Sequence, residues 1–162
     1  MINRSENMRR IRSTNTAPEL QVRQILRSLG LKGYRIHWKG IPGKADIVFV
    51  GRKKAIFVNG CFWHAHDCRI GLRKPKTNKD YWLPKIARTK LRDKRNVAEL
   101  LTLGWDVLTL WECGIRNHAE TLHGVLKNFA AANKAAIKFP LEASQSEFID
   151  VAYADAPATI QS

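Results

Sequence analysis

The chain has 162 residues, 44% of them hydrophobic, and no apolar run approaches the length of a membrane span; this is the composition of one globular domain. It carries 28 Lys and Arg against 14 Asp and Glu, a formal charge of +14, which is the footprint of a protein that meets a polyanion, nucleic acid first. Three cysteines are a poor disulfide set, and Met1-Ile2-Asn3-Arg4 lacks the apolar core of a secretory signal. A cytoplasmic protein with a metal site is expected, with no membrane partner.

Residues 1–15 read as a basic arm, RSENMRRIRSTN being its charged part. Thr16-Ala17-Pro18-Glu19 is a capping box with proline in the first turn. The helix it opens carries Val22, Ile25, Leu26 and Leu29 on one face and stops near Gly30. Three strands are predicted next, over 34–38, 45–50 and 55–58, the last two joined as a hairpin through Gly51-Arg52-Lys53-Lys54. Their density of apolar residues predicts a helix over each face of the sheet. Asn78 can cap a basic helix starting at Lys79, and Pro84 should kink or restart it. Ile86, Val97, Leu100 and Leu101 are its inward positions, and Gly104 ends it. Residues 105–110 form a fourth strand, with Trp105 and Trp111 left to the core, and 118–133 form a final helix. The domain spans 16–138. Residues 139–162 hold four acids and no base and read as an acidic, flexible tail. The fold class is α/β, a mixed central sheet flanked by helices.

Two groups of residues carry chemistry. Cys61-Phe62-Trp63-His64-Ala65-His66-Asp67-Cys68 leaves the third strand directly, and Cys113 follows the fourth. Cys61, His66, Cys68 and Cys113 would make one tetrahedral Cys3His zinc site; the plain alternative is three buried apolar thiols. His64 is left over as a free imidazole beside that loop. In the second group, Asp46 starts one hairpin strand and Val58-Asn59 ends its partner, so they should be neighbours. A carboxylate with backbone carbonyls suits magnesium, and Glu19 on the first helix can approach the same edge. The alternative is that Asp46 pairs with one of the many bases. Carboxylate, metal and imidazole together suffice for attack of water on a phosphodiester.

The chain resembles the very short patch repair endonucleases, DNA mismatch nucleases whose fold is similar to that of type II restriction enzymes. The matching residues are Arg4-Ser5-x-Asn7-Met8-x-x-Ile11, Thr16-x-x-Glu19, Gly43-x-x-Asp46, Gly60-Cys61-Phe62-Trp63-His64-x-His66-x-Cys68, Tyr81-Trp82-Leu83-Pro84-Lys85-Ile86, Arg92-Asp93, and Gly104-Trp105-x-Val107 through Trp111-Glu112-Cys113. The resemblance implies a restriction-endonuclease-like fold and a magnesium-dependent nick 5′ to the thymine of a T·G mismatch. Asp46 would bind magnesium by its side chain and Val58 by its carbonyl, Glu19 would hold water there, and His64 would be the general base. Cys61, His66, Cys68 and Cys113 would hold structural zinc. Phe62, Trp63 and Trp82 would enter the DNA stack from the major groove, Met8 and Ile11 from the minor groove. Separating base steps costs a few kcal/mol, least at a mismatch, and flat aromatics recover part of it by stacking.

Three departures stand out. Asn59 occupies a catalytic position where the family has histidine or aspartate. Thr89 replaces the usual asparagine on the helix that reads the mispair beside Lys85. Ala45 replaces a proline before the metal aspartate. Double-stranded DNA with a mismatch is the implied partner, mismatch-repair factors are candidate partners, and monomer and nucleoid association are the default expectations. Two other readings fit the same residues: a restriction or phage-defence nuclease of the same fold, and a zinc-containing mismatch binder that does not cut.

Overall fold

A computed structural model of the chain describes residues 13–131 and 149–152. Helix α1 (Ala17–Ser28) starts at Thr16, whose backbone is extended, with proline in its first turn where no intrahelical bond is lost. The capping box takes a different form from the expected one. The Glu19 carboxylate accepts from the Asn15 amide at 2.9 Å and the Thr16 hydroxyl at 3.0 Å, so Thr16 does not cap the backbone. Val22, Ile25 and Leu26 face inward as the helical period requires.

Strand β1 (Arg35–Ile36) is shorter than predicted because His37 turns left-handed, with φ 47°. Then come β2 (Ile47–Phe49), a 3-10 turn (Val50–Arg52) and β3 (Lys54–Asn59). Lys53, with φ 50°, makes the reversal between the hairpin strands. Helix α2 (Lys79–Thr102) is continuous through Pro84, and the expected restart does not occur. Pro84 stands in the second turn, where the bond it removes belongs to the exposed Asp80, whose carbonyl water can satisfy. Asn78 sits at the helix start in a left-handed conformation, but its side chain makes no capping bond. Strand β4 (Asp106–Trp111) runs into a short α3 (Glu112–Asn117) and then α4 (Ala119–Ala131), so Glu112 and Cys113 lie in a helical turn. A further strand, β5 (Ile149–Ala152), falls inside the segment expected to be a flexible tail. It pairs antiparallel with β4, from Leu110↔Ile149 to Val107↔Ala152.

Among the described residues the sheet has five strands in the order β1-β2-β3-β4-β5. Only β3 and β4 are parallel, in register from Lys54↔Asp106 to Asn59↔Trp111; the other pairs are antiparallel. The fold is therefore mixed α/β. Alternate residues on each strand supply two cores. Ile47, Ile56, Leu108 and Leu110 pack with α1, α3 and α4 on one face. Val48, Ala55 and Val107 pack with Trp105 and Leu100, near the end of α2, on the other. Trp105 is thus a core residue, whereas Trp111 is only partly buried. No described helix is long and apolar enough to cross a membrane.

At the start of the parallel register, Lys54 Nζ lies 3.0 Å from Asp106 Oδ2, both side chains being almost fully buried. Lys54 also sits over the Phe129 ring at 4.8 Å. Removing one member of such a pair strands a buried charge. Asp106→Ala should therefore cost about 3–5 kcal/mol of stability, read as a lower midpoint in urea unfolding.

Candidate active site and metal centre

The β3–β4 register sets the candidate metal centre. Cys61 and Cys113 each lie two residues past the last register pair, Asn59↔Trp111. The loop after β3 turns back on itself through His66 N–H to Cys61 O (3.0 Å) and Cys68 N–H to His66 O (2.9 Å). The result is that Cys61, His66, Cys68 and Cys113 offer four ligand atoms within 4.8 Å of one another. Backbone amides point at the sulfurs: Cys113 N–H donates to Cys61 Sγ and Gly71 N–H to Cys68 Sγ, both at 3.4 Å. His66 stacks on Trp111, ring centroids 4.3 Å apart, which fixes its plane. Burial pushes the Cys61 thiol up to about 12 and raises that of Cys113. At Cys68 burial is outweighed by the Gly71 amide and His66, and the thiol falls to about 7. Three soft sulfurs and one imidazole are a set that fits zinc, which would ionise the raised thiols by taking the place of their protons. Gly71 is required here, since a Cβ on it would stand 1.9 Å from the His66 carbonyl oxygen.

The second group gathers at the other side of the β3 end. The β2–β3 register stops at Ile47↔Ile56, leaving Asp46 opposite the last residues of β3. Asp46 Oδ2 accepts from the Val58 amide at 2.7 Å. The N–H and C=O of one strand residue leave on the same edge, so the Val58 carbonyl also faces this side. Glu19 reaches the same place from α1, and His37 stands between the two acids: Nε2 is 3.3 Å from Glu19 Oε2 and Nδ1 is 3.7 Å from Asp46 Oδ1. Glu19, His37 and Asp46 form a second set of possible metal ligands. Burial raises the Asp46 carboxyl to about 6; the Val58 amide opposes this and the Glu19 charge adds to it. A buried carboxylate beside a half-buried one favours a cation in electrostatic terms. Asn59 is buried at the strand end and lines the same groove.

His64 was expected to be a free imidazole, and it is not. Its Nδ1 lies 2.5 Å from Oδ2 of Asp93, a residue of α2 for which sequence alone predicts no role. Burial tends to raise the Asp93 carboxyl, but the hydrogen bond and charge of His64, helped by Arg92 at 3.3 Å, hold it below the usual carboxylate range. A charged carboxylate at Nδ1 selects the tautomer with hydrogen there and leaves Nε2 as the basic nitrogen. Ala65, left-handed at φ 50°, separates His64 from His66, so one imidazole goes to Asp93 and the next to the sulfurs.

The aromatic residues adjoin this pair. Phe62 and Trp63 rings are 5.1 Å apart, and Trp63 and Trp82 rings 5.4 Å apart, all three side chains partly exposed. Lys85 sits over the Trp82 and Tyr81 rings at 5.0 and 5.3 Å. Tyr81 was not anticipated as a member of this cluster. Glu19, Asp46, Asn59, His64, Asp93, Trp63, Trp82 and Lys85 all line one groove of about 1630 Å³, with Lys39, Lys44, Lys90, Arg92, Lys94 and Arg95 around it. Thr89 is not among its lining; it lies beside Lys85 and Arg88 in a neighbouring depression. Met8 and Ile11 fall outside the described residues.

The sequence family described as DNA mismatch endonuclease Vsr matches residues 2–70. A type II nicking enzyme of Xanthomonas oryzae, V.XorIIP, is 49% identical over 106 residues, 65% of this chain and 76% of its own length. The chain belongs to the Vsr family of DNA endonucleases. The DNA mismatch endonuclease Vsr of Escherichia coli is 40% identical over 70% of this chain and 71% of its own. The nicking enzyme V.NmeAIP of Neisseria meningitidis is 42% identical over 72% and 81%. The segment matched by the Vsr family contains Glu19, Asp46, the end of β3 and three of the four zinc-type ligands, whereas Cys113, Trp82 and Asp93 lie beyond it.

The raised Asp46 carboxyl gives a signed prediction for zinc-loaded protein kept free of Mg2+. Unfolded, Asp46 ionises near 3.8; folded, near 6. Between these values the folded state holds more protons, so this group's contribution to stability falls as pH rises through the window. Asp46→Asn should therefore stabilise the zinc-loaded, Mg2+-free protein by up to about 3 kcal/mol at pH 7 and by little at pH 4. Thermal unfolding across that range checks it.

Proposed function

We propose that this Vsr-family protein is a magnesium-dependent endonuclease that nicks one strand of a DNA duplex 5′ to the thymine of a T·G mismatch. Mg2+ would be held by Asp46 and the Val58 carbonyl near Glu19, and structural Zn2+ by Cys61, His66, Cys68 and Cys113, within a core of restriction-enzyme type. One observation carries the reading: a single base-rimmed groove presents a carboxylate pair largely withdrawn from water, an imidazole held by a carboxylate, and a partly exposed cluster of aromatic rings. Those are the parts needed to hold a cation, take a proton and part a base step. That relatives are named as nicking enzymes and as a mismatch endonuclease agrees with a single-strand cut at a mispair.

In the proposed reaction His64 Nε2 takes the proton of a water whose oxygen adds to phosphorus, and the P–O bond to the leaving sugar oxygen breaks. Asp93 holds Nδ1–H and stabilises the imidazolium that forms. Asp46 and the Val58 carbonyl would hold the cation, with Glu19 holding its water, and the cation when bound would withdraw charge from the phosphate oxygens. Phe62, Trp63 and Trp82 enter the stack and select a step already weakened by the mispair, while the lysines and arginines grip phosphate without selecting sequence. Asn59 leaves the site without one ionisable group, and Thr89 offers a single hydroxyl for reading the pair beside Lys85.

Nicking of T·G, matched and other mismatched duplexes with Mg2+ tests the reading. Asp46→Ala should abolish the cut, and His64→Ala should slow it by roughly a hundred- to ten-thousandfold. Asp93→Asn should slow it less and shift its pH profile, because the imidazole loses its charged partner. A parent protein that binds T·G selectively but never cuts would give the non-cleaving reading instead.

The wedge makes a separate prediction. Trp63→Ala and Trp82→Ala should each cost about 1–3 kcal/mol in binding a T·G duplex, with little change on a matched one. An equal loss on both duplexes would return the tryptophans to a packing role.

Zinc is tested directly. Protein purified without chelator should contain one zinc per chain by elemental analysis, and Cys113→Ala and Gly71→Ala should each lower that content and the melting temperature. A zinc-free protein with an intact fold would refute the assignment.

A further inference from the structure

His37 stands at the centre of the carboxylate pair. Its two ring nitrogens face different acids, Nε2 toward Glu19 and Nδ1 toward Asp46. Nε2 is buried and makes no hydrogen bond of acceptable geometry, although an acceptor oxygen is only 3.3 Å away. The backbone holds the ring there: β1 pairs with β2 up to Ile36↔Ile47, then the His37 amide donates to the Asp46 carbonyl at 3.1 Å in a left-handed turn. His37 is thus tied to the residue whose side chain it faces.

The three side chains can meet on one ion. One ligand atom from each of Glu19, His37 and Asp46 lies within 4.8 Å of the others. Ligands on a cation at about 2.1 Å stand about 3 Å apart when adjacent and about 4.2 Å when opposite, so these separations suit a shared ion. What the third donor changes is the kind of ion. An all-oxygen site suits magnesium, which is hard and dehydrates reluctantly; an imidazole suits divalent ions of the first transition series.

We propose that His37 is a third protein ligand of the catalytic cation, making a mixed nitrogen–oxygen site that binds Mn2+ more tightly than Mg2+. This rests on the reading of Asp46 as the cation site. The carboxylates accept either ion, and His37 supplies the difference between them. His37 is then the residue that sets cation preference.

The test needs neither DNA nor turnover. Mn2+ is titrated into the zinc-loaded full-length protein, free of DNA, and followed by pulsed EPR. A directly bonded 14N coupling is expected in the parent, absent in His37→Gln and kept in His64→Ala. Calorimetry in parallel should show Mn2+ affinity falling about tenfold or more in His37→Gln, with a much smaller change for Mg2+. Bound Mn2+ without nitrogen coupling in the parent overturns the proposal whether or not the variant folds, and so does an equal loss for both ions. Asp46→Ala separates the two claims: if it leaves Mn2+ binding unchanged, the cation site itself is misplaced, whereas loss of binding there with no nitrogen signal in the parent removes His37 alone.

Discussion

The parallel register of β3 and β4 is the constraint on which the rest depends. At one end it sets Lys54 against Asp106, a buried ion pair that tolerates no other alignment. At the other end, two residues past Asn59↔Trp111, it sets Cys61 against Cys113. A slip by one residue would reverse the faces of a strand, separate the cysteines and bury a charge without its partner. Parallel pairs have no tight turn to align them and rely on features of this kind. The ion pair and the thiol cluster act as pins at the two ends of a six-residue ladder. Much of the proposed site hangs from the second pin, since His64 and His66 share one loop and the Asp46 contact is made to Val58 on the same strand.

That arrangement has an energetic cost concentrated at the groove. Glu19 and Asp46 are both largely removed from water, and burial, with the Glu19 charge adding to it, raises the Asp46 carboxyl. His37 and Ala65 both hold left-handed backbone without being glycine, at about 1 kcal/mol or more each. These unfavourable terms cluster within a few residues of the proposed chemistry, while the two cores beneath them are apolar and well buried.

Much of this was legible in the sequence because the signals are local or topological. The proline and apolar period of α1, the hairpin of β2 and β3, and the density of the Cys61–Cys68 loop each report their own neighbourhood. The approach of Asp46 to Val58 followed from hairpin geometry alone. The His64–Asp93 contact did not, because it spans 29 positions and joins a loop to the middle of a helix. A weaker signal was available: Asp93 is the lone acid between Asp80 and Glu99 and shares a helical face with Trp82 and Thr89. His37 was read as part of a strand because alternation does not reveal a left-handed turn. Pro84 misled because the rule against proline weakens near an exposed helix start. The Ile149–Ala152 strand was hidden by the acids and small residues around its two β-branched side chains.

Helix α2 has a mechanical side. It is 24 residues long, yet Leu100, near its end, is its only fully buried residue. Trp82 and Asp93 stand eleven positions apart on nearly the same face, about 16 Å along the axis. A helix is stiff over that span, so any tilt about the anchored end would carry the exposed stretch with it as a lever arm. Whatever tilts the tryptophan end also moves the carboxylate that grips His64. For the proposed cut, fidelity would then reside in the stiffness of a rod as well as in the shape of a pocket.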